Sequence, residues 1–307
     1  MYISIVVPLL NEKDSLQELT DGVTKQLAIL EKESEILFID DGSTDGSFEK
    51  LIELKKAYQN IKIIRLRRNF GKSAALFEGF QRAKGKYVIT MDADLQDDPA
   101  EIPNLISELK NGYDLVSGWK KKRHDPITKT MPSKFFNGTT RFLTGIKIHD
   151  FNCGLKGYRS EVIKSIPVYG EFHRYLPVLA HWQGFRVGEI EVVHHPRKHG
   201  KTKFGVRRFF SGFFDLLTVL FLTRYRQKPM HLFGFLGLAS FLIGFGILSY
   251  LTVLWFLGHG IGNRPMLSLG VLMVIVGLQS FSLGLIGDMV TNTQQQVNES
   301  AVREEFD

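Results

Sequence analysis

Cysteine is almost missing: Cys153 stands alone in 307 residues. No internal disulfide can form, and the chain suits a reducing compartment. Two phosphate-binding fingerprints are missing as well. No G-x-G-x-x-G follows the first predicted strand, and no G-x-x-x-x-G-K-[ST] occurs anywhere. The common dinucleotide and P-loop ways of holding phosphate are thereby excluded. His173, His181, His194, His195 and His199 offer no H-x-x-x-H pair on a helix with a supporting Glu, and no cysteine cluster joins them, so a protein-bound zinc is not expected. Formal charge is missing from one region only. Between residues 232 and 290 the sole Asp, Glu, Lys or Arg residues are Arg264 and Asp288.

That region holds two uncharged runs, 232–258 and 266–287. Each is longer than the ~20 residues that cross a ~30 Å hydrocarbon layer. Glycine-rich and without a polar face, they read as two membrane-spanning helices rather than buried helices of a soluble bundle. The flank before them carries Arg207, Arg208, Arg224, Arg226 and Lys228, whereas the loop between them, HGIGNRP, carries one Arg. The positive-inside bias then puts the soluble part and both termini in the cytoplasm. The start, MYISIVVPLLNE, lacks the basic leader of a signal peptide. A net charge of +7 suits an anionic lipid surface. Because the Lys/Arg excess gathers near the membrane segment, nucleic acid is not an expected partner.

The soluble part alternates between two periods. ISIVVPL, EILFID, IKIIRL, KYVITM and YDLVSG are short apolar runs, as strands buried on both faces should be. Between them lie helical patterns at 15–30, 47–58, 73–84 and 100–110. The spacing predicts an α/β fold with a mostly parallel, Rossmann-like sheet that binds ligands at its carboxyl edge. Three predicted strands end in acidic or polar residues: Pro8, Asn11 and Glu12; Asp40 and Asp41; Asp92 and Asp94. One such loop alone is an ordinary turn or cap. Three on one edge suggest a site that holds phosphates through a metal. Asp92 and Asp94, two apart on an extended segment, point to the same side. With Gln96 they offer hard oxygen ligands that suit Mg²⁺ or Mn²⁺. Asp97 and Asp98, before Pro99, read as helix caps.

VVPLLNE, FIDDGSTDGS, RRNFGKSAALFEGFQRAKGKYVITMDADLQDDPAEIP and GLKGYR, followed by two apolar helices, resemble family 2 of the glycosyltransferases over roughly residues 1–290. Within it the likeness is to the polyprenyl-phosphate glycosyltransferases, such as dolichyl-phosphate mannose synthases and undecaprenyl-phosphate glucosyltransferases. The resemblance implies a GT-A fold and inverting transfer of a sugar from a nucleotide diphosphate to a lipid phosphate at the bacterial inner membrane. It implies that Pro8, Glu12 and one of Asp40 and Asp41 contact the donor's base and ribose. Asp92 would lie near ribose and metal, and Asp94 and Gln96 on the metal. Asp150 would face the reacting sugar, while Arg197, Lys201 and Lys203 would grip phosphate beside the membrane. Trp119-Lys120 stands where mannose synthases carry Arg, so the glucosyltransferase branch, and with it a UDP-sugar, is the nearer likeness. Gln183 to Val187 lacks the Trp of the Q-x-x-R-W motif of processive synthases.

The acceptor's chemistry needs no family. A phosphate monoester with a second pKa near ~6 is largely dianionic at neutral pH and already a nucleophile. It needs cations to bring two anions together, not a strong base. Lys120 to Arg123 is one cationic run; residues 197–208 hold six Lys/Arg. Both are candidates for phosphate, against the alternative of solvated loops. These readings divide the chain into a catalytic domain (1–203), an interfacial amphipathic helix region (204–229), a two-helix anchor (230–290) and a cytoplasmic tail without fixed structure (291–307). Short two-helix anchors often associate, so a homo-oligomer is compatible. Two rival functions stand beside this one. A transferase acting on a lipid hydroxyl would need a base, with Asp150 as the candidate. A non-catalytic sensor would bind a nucleotide sugar and transfer nothing.

Overall fold

A computed structural model describes residues 1–121, 137–142, 144–166, 168, 170, 172–196, 218, 229–262 and 264–295. The chain forms two units, Met1–Val219 and Leu220–Asp307. Arg123, Arg197, Lys201, Lys203 and nearly all of the proposed interfacial region lie outside the described residues.

In the first unit the five predicted apolar runs are strands: β1 Ile3–Leu9, β2 Ser34–Asp40, β3 Ile61–Arg65, β4 Tyr87–Thr90 and β5 Leu115–Trp119. Two more follow, β6 Lys156–Arg159 and β7 Val187–Glu191. Between the early strands lie helices α1 Leu16–Leu30, α2 Ser47–Ala57, α3 Lys72–Arg82 and α4 Ile102–Lys110. Each turns one apolar stripe inward. In α1 the buried positions Leu16, Leu19, Thr20, Val23 and Leu27 recur at three- and four-residue steps.

The sheet order is β3-β2-β1-β4-β6-β5-β7. The first four strands are parallel, and β6 runs antiparallel to both β4 and β5. β6 lies between β4 and β5, out of chain order. Its four residues, KGYR, are too short and too charged for hydrophobic periodicity to mark, yet the first three are buried. The insertion matters because the segment before β6 is thereby laid directly against the end of β4.

The second unit is a pair of helices, Pro229–Phe256 and Pro265–Gln295, the latter running five residues into the segment expected to lack fixed structure. Both are long and apolar enough to cross a membrane. Most of their large apolar side chains are exposed, as lipid-facing helices require. They pack backbone to backbone through glycine. A Cβ added to Gly277 would lie 2.7 Å from the Gly237 carbonyl oxygen and 2.7 Å from the Phe241 nitrogen. Without a hydrophobic drive between helices in lipid, such close approach is what holds them. Asp288, one of the two charges in the region, accepts a hydrogen bond from the Met230 N–H at 3.2 Å and so caps the first helix. Gly277→Leu is expected to part the helices. Hydrogen exchange of the full chain in detergent should then show protection lost in both helices and kept in the sheet.

Candidate active site

The carboxyl ends of β1, β2 and β4 form one edge, as the parallel register requires. The loops after β1 and β2 are tied together. Asn11, at φ 55°, accepts from the Thr44 N–H at 2.8 Å, and its own N–H donates to Ser43 Oγ at 2.9 Å. The Glu12 N–H donates to Ser47 Oγ at 3.1 Å and the Lys13 N–H to Asp45 at 3.1 Å. Burial works to raise the Asp45 pKa, but these donors and the Ser47 hydroxyl hold it below the usual carboxylate range. Pro8 is buried within β1, and Glu12 is half-buried at the loop.

Asp40 and Asp41 are both buried. Asp40 accepts from the Ser43 N–H at 2.8 Å, and its other oxygen lies 3.6 Å from the Arg65 guanidinium. Asp41 accepts from the N–H groups of Phe70 and Gly71 at 2.7 and 2.9 Å, which fixes the start of α3. Burial nevertheless pushes its carboxyl up.

After β4 the chain alternates: Asp92, Asp94, Gln96 and Asp98 are half-exposed, and Ala93, Leu95 and Asp97 are buried. Asp92, Asp94 and Gln96 thus share a half-exposed setting, but residues 93–95 form a turn rather than the extended segment expected from the sequence. Leu95 reverses the chain at φ 59°, and the Gln96 N–H donates to Asp94 at 3.2 Å. Asp92 pairs with the Lys72 ammonium from the first residue of α3. Burial opposes its charge, but Lys72, Lys120 and Lys156 together hold the Asp92 carboxyl low. Beneath it, a Cβ on Gly154 would lie 2.4 Å from Asp92 Oδ2, so the carboxylate rests on a glycine Cα. Thr90 Oγ1 donates to the Gly154 carbonyl at 2.9 Å and holds this contact in place.

Asp97 and Asp98 do different things. Asp98 is the expected cap: it accepts from the Ala100 N–H at 2.9 Å and lies 3.0 Å from His195 Nε2. Asp97 caps nothing. It is 2% exposed and pairs with Lys120 Nζ at 2.7 Å. Its odd position in the alternation turns it inward, where a buried lysine meets it. Lys120 is thus no solvated loop residue; burial would lower its pKa, and Asp97 raises it. Asp150 is 1% exposed and accepts from the Asn152 N–H at 3.1 Å, and its carbonyl accepts from Ser117 Oγ at 3.2 Å.

Three residues of this centre were not singled out as site residues from sequence. Lys72 falls there just before the helix expected at 73–84, although a lysine directly after Gly71 at a helix start is a signal for an anion. Lys156, in GLKGYR, is the first residue of β6, with its ammonium on the Cys153 carbonyl. Burial pushes its pKa down. Gly154 has no chemistry of its own, only the absence of a side chain. Cys153 is buried, and its thiol is pushed up to about 12, so it stays protonated.

No cluster of three or more His, Cys, Asp or Glu side chains is poised for a metal among the described residues. The donor set fits a cation completed by substrate: Mg²⁺ commonly takes one or two carboxylates together with substrate phosphates. Asp92 and Asp94 would be those two carboxylates.

The model of Glycosyl transferase family 2 matches residues 4–166. The chain is 38% identical to dodecaprenyl-phosphate galacturonate synthase of Rhizobium johnstonii, over 100% of this chain and 94% of that protein. It is 34% identical to undecaprenyl-phosphate 4-deoxy-4-formamido-L-arabinose transferase of Shewanella sediminis, over 94% and 87%. Among solved structures, glucosyl-3-phosphoglycerate synthase from Mycobacterium tuberculosis with Mn²⁺, UDP-glucose and phosphoglyceric acid matches with a TM-score of 0.55. The identity there is 16%, and 72% of this chain and 79% of that one are covered. That likeness establishes the GT-A fold.

Proposed function

The chain belongs to glycosyl transferase family 2, and from that premise we propose that it moves a sugar from a nucleotide diphosphate to a polyprenyl phosphate at the membrane. The observation that carries this reading is the half-exposed Asp92–Asp94–Gln96 row at the sheet's carboxyl edge, in a chain that also has two helices long and apolar enough to cross a membrane. The Rhizobium and Shewanella relatives are named for dodecaprenyl- and undecaprenyl-phosphate products. The sugars in those names differ, and a hexose or hexose derivative from UDP is the donor proposed here.

In this reading the tied loops after β1 and β2 form the base and ribose end, with Pro8, Glu12 and Asp40 or Asp41. Asp92, Asp94 and Gln96 would hold Mg²⁺ or Mn²⁺, whose charge offsets that of the departing diphosphate. Lys72 stands ready beside Asp92 to meet a second phosphate charge. The acceptor phosphate attacks the anomeric carbon without a strong base, because it arrives as a dianion. Asp150, buried on neighbouring amides, positions the segment leading to Gly154. Lys120, paired with Asp97, fixes the floor of the site, while Arg123, Arg197, Lys201 and Lys203 are the proposed acceptor grips. The catalytic unit and both termini face the cytoplasm.

The test is purified full-length chain in detergent with undecaprenyl phosphate, Mn²⁺ and labelled UDP- and GDP-sugars. Label entering the organic phase with one or more donors is expected. Donor binding with no labelled lipid from any donor would leave the sensor reading in its place.

A further inference from the structure

We propose that the donor sugar carries a carboxylate, and that Lys156 with Arg174 forms the site that receives it. The inference rests on the transferase reading above and names its substrate class. Its starting point is the strand order. With the base at the ends of β2 and β1 and the diphosphate at the loop after β4, a donor lying along the edge brings its sugar to the next strand, β6. The wall there is built from the segment before β6, from α3 and from the turn Phe172–Arg174.

A cavity of about 20 Å³ lies in that wall, lined among others by Lys72, Asn152, Lys156, His173 and Arg174. Three of its lining residues are lysine or arginine, and none is a carboxylate. Two neighbouring lysines already have carboxylate partners: Lys72 has Asp92, and Lys120 has Asp97. Lys156 does not. Its side chain is in a residue only 3% exposed, its ammonium bonds the Cys153 carbonyl, and no carboxylate lies within ion-pair distance among the described residues.

A buried ammonium bonded to a carbonyl, with Asp92 and Asp150 acting on it only from beyond ion-pair distance, is costly, and the cost falls when an anion arrives. The hydroxyls of a neutral hexose supply hydrogen bonds but no charge. A sugar carboxylate supplies both and suits the planar donor fork of an arginine. The cavity's volume, room for about one water-sized group, matches a single carboxylate oxygen seated in it. The diphosphate, an anion too, has the cation held at Asp92 and Asp94 to answer it.

The experiment compares UDP-glucuronate and UDP-galacturonate with UDP-glucose and UDP-galactose, using full-length chain, undecaprenyl phosphate and Mn²⁺. One of the uronates is expected to exceed its neutral counterpart in kcat/KM by at least about a hundredfold, as when a site's buried polar groups are left unpaired. Lys156→Met should remove most of that preference while the Kd for UDP and the KM for undecaprenyl phosphate stay unchanged. A neutral hexose transferred as well as the uronates overturns the inference and leaves the transferase reading standing. Equal loss of UDP or acceptor binding in Lys156→Met would assign the lysine to phosphate and overturn it too. No transfer from any donor defeats the transferase reading itself. Should Lys156→Met fail to fold, the donor ratio of the unaltered chain still decides.

Discussion

Asp94→Ala is expected to lower sugar transfer by at least a hundredfold, on the order of the loss when one group stabilising transition-state charge is removed. The two carboxylates of the row are not equivalent. Asp92 is engaged by Lys72 and rests on Gly154. Asp94 is half-exposed and accepts from the Gln96 N–H. Removing Asp94 takes away the proposed cation ligand at a half-exposed position, and the fold should survive. Mn²⁺ binding to the purified variant in the presence of UDP, followed by electron paramagnetic resonance, should weaken in parallel with kcat. An unchanged rate in Asp94→Ala, or in the unaltered chain with EDTA, would remove the metal from the account.

The second large effect comes from a residue without a side chain. Gly154→Ala would set a Cβ 2.4 to 2.8 Å from the carboxylate atoms of Asp92. Real Cβ atoms do not approach so closely, so the carboxylate must move, and with it the pair to Lys72. A displacement near 1 Å at a catalytic group can cost about a hundredfold. Transfer should fall by roughly that factor, with little change in melting temperature, because the Gly154 carbonyl can still accept from Thr90. Gly138→Ala, where nothing lies within 4 Å of the new Cβ, is the control. Similar activity in both variants would mean that the placement of Asp92 is not critical.

Hydrophobic periodicity made the five early strands, the four helices and the two apolar helices legible, because each buries a face or a whole length in a regular rhythm. It failed at β6, where four residues carry two cations and a glycine. The burial of that strand comes from its neighbours β4 and β5, not from a pattern of its own. The alternating exposure of Asp92, Asp94 and Gln96 was legible from their i, i+2 spacing, but the turn at 93–95 that carries it was not. The same rule, carried one step further, would have turned Asp97 inward, away from a cap and towards Lys120. Lys72 and Lys156 were harder. A lysine's partner is set by which strand ends meet, and here that depended on the antiparallel insertion. Gly154 could be understood only from the carboxylate above it.

The central claim is that the acceptor supplies its own negative charge, so that the site needs cations rather than a base. It is tested most directly by offering the purified chain the same labelled donor with undecaprenyl phosphate and, separately, with undecaprenol. The account predicts labelled lipid and stoichiometric release of the nucleotide diphosphate with the phosphate, and neither with the alcohol. Transfer to the alcohol at a comparable rate, lost in Asp150→Asn, would contradict it and make the enzyme a base-catalysed transferase to a lipid hydroxyl.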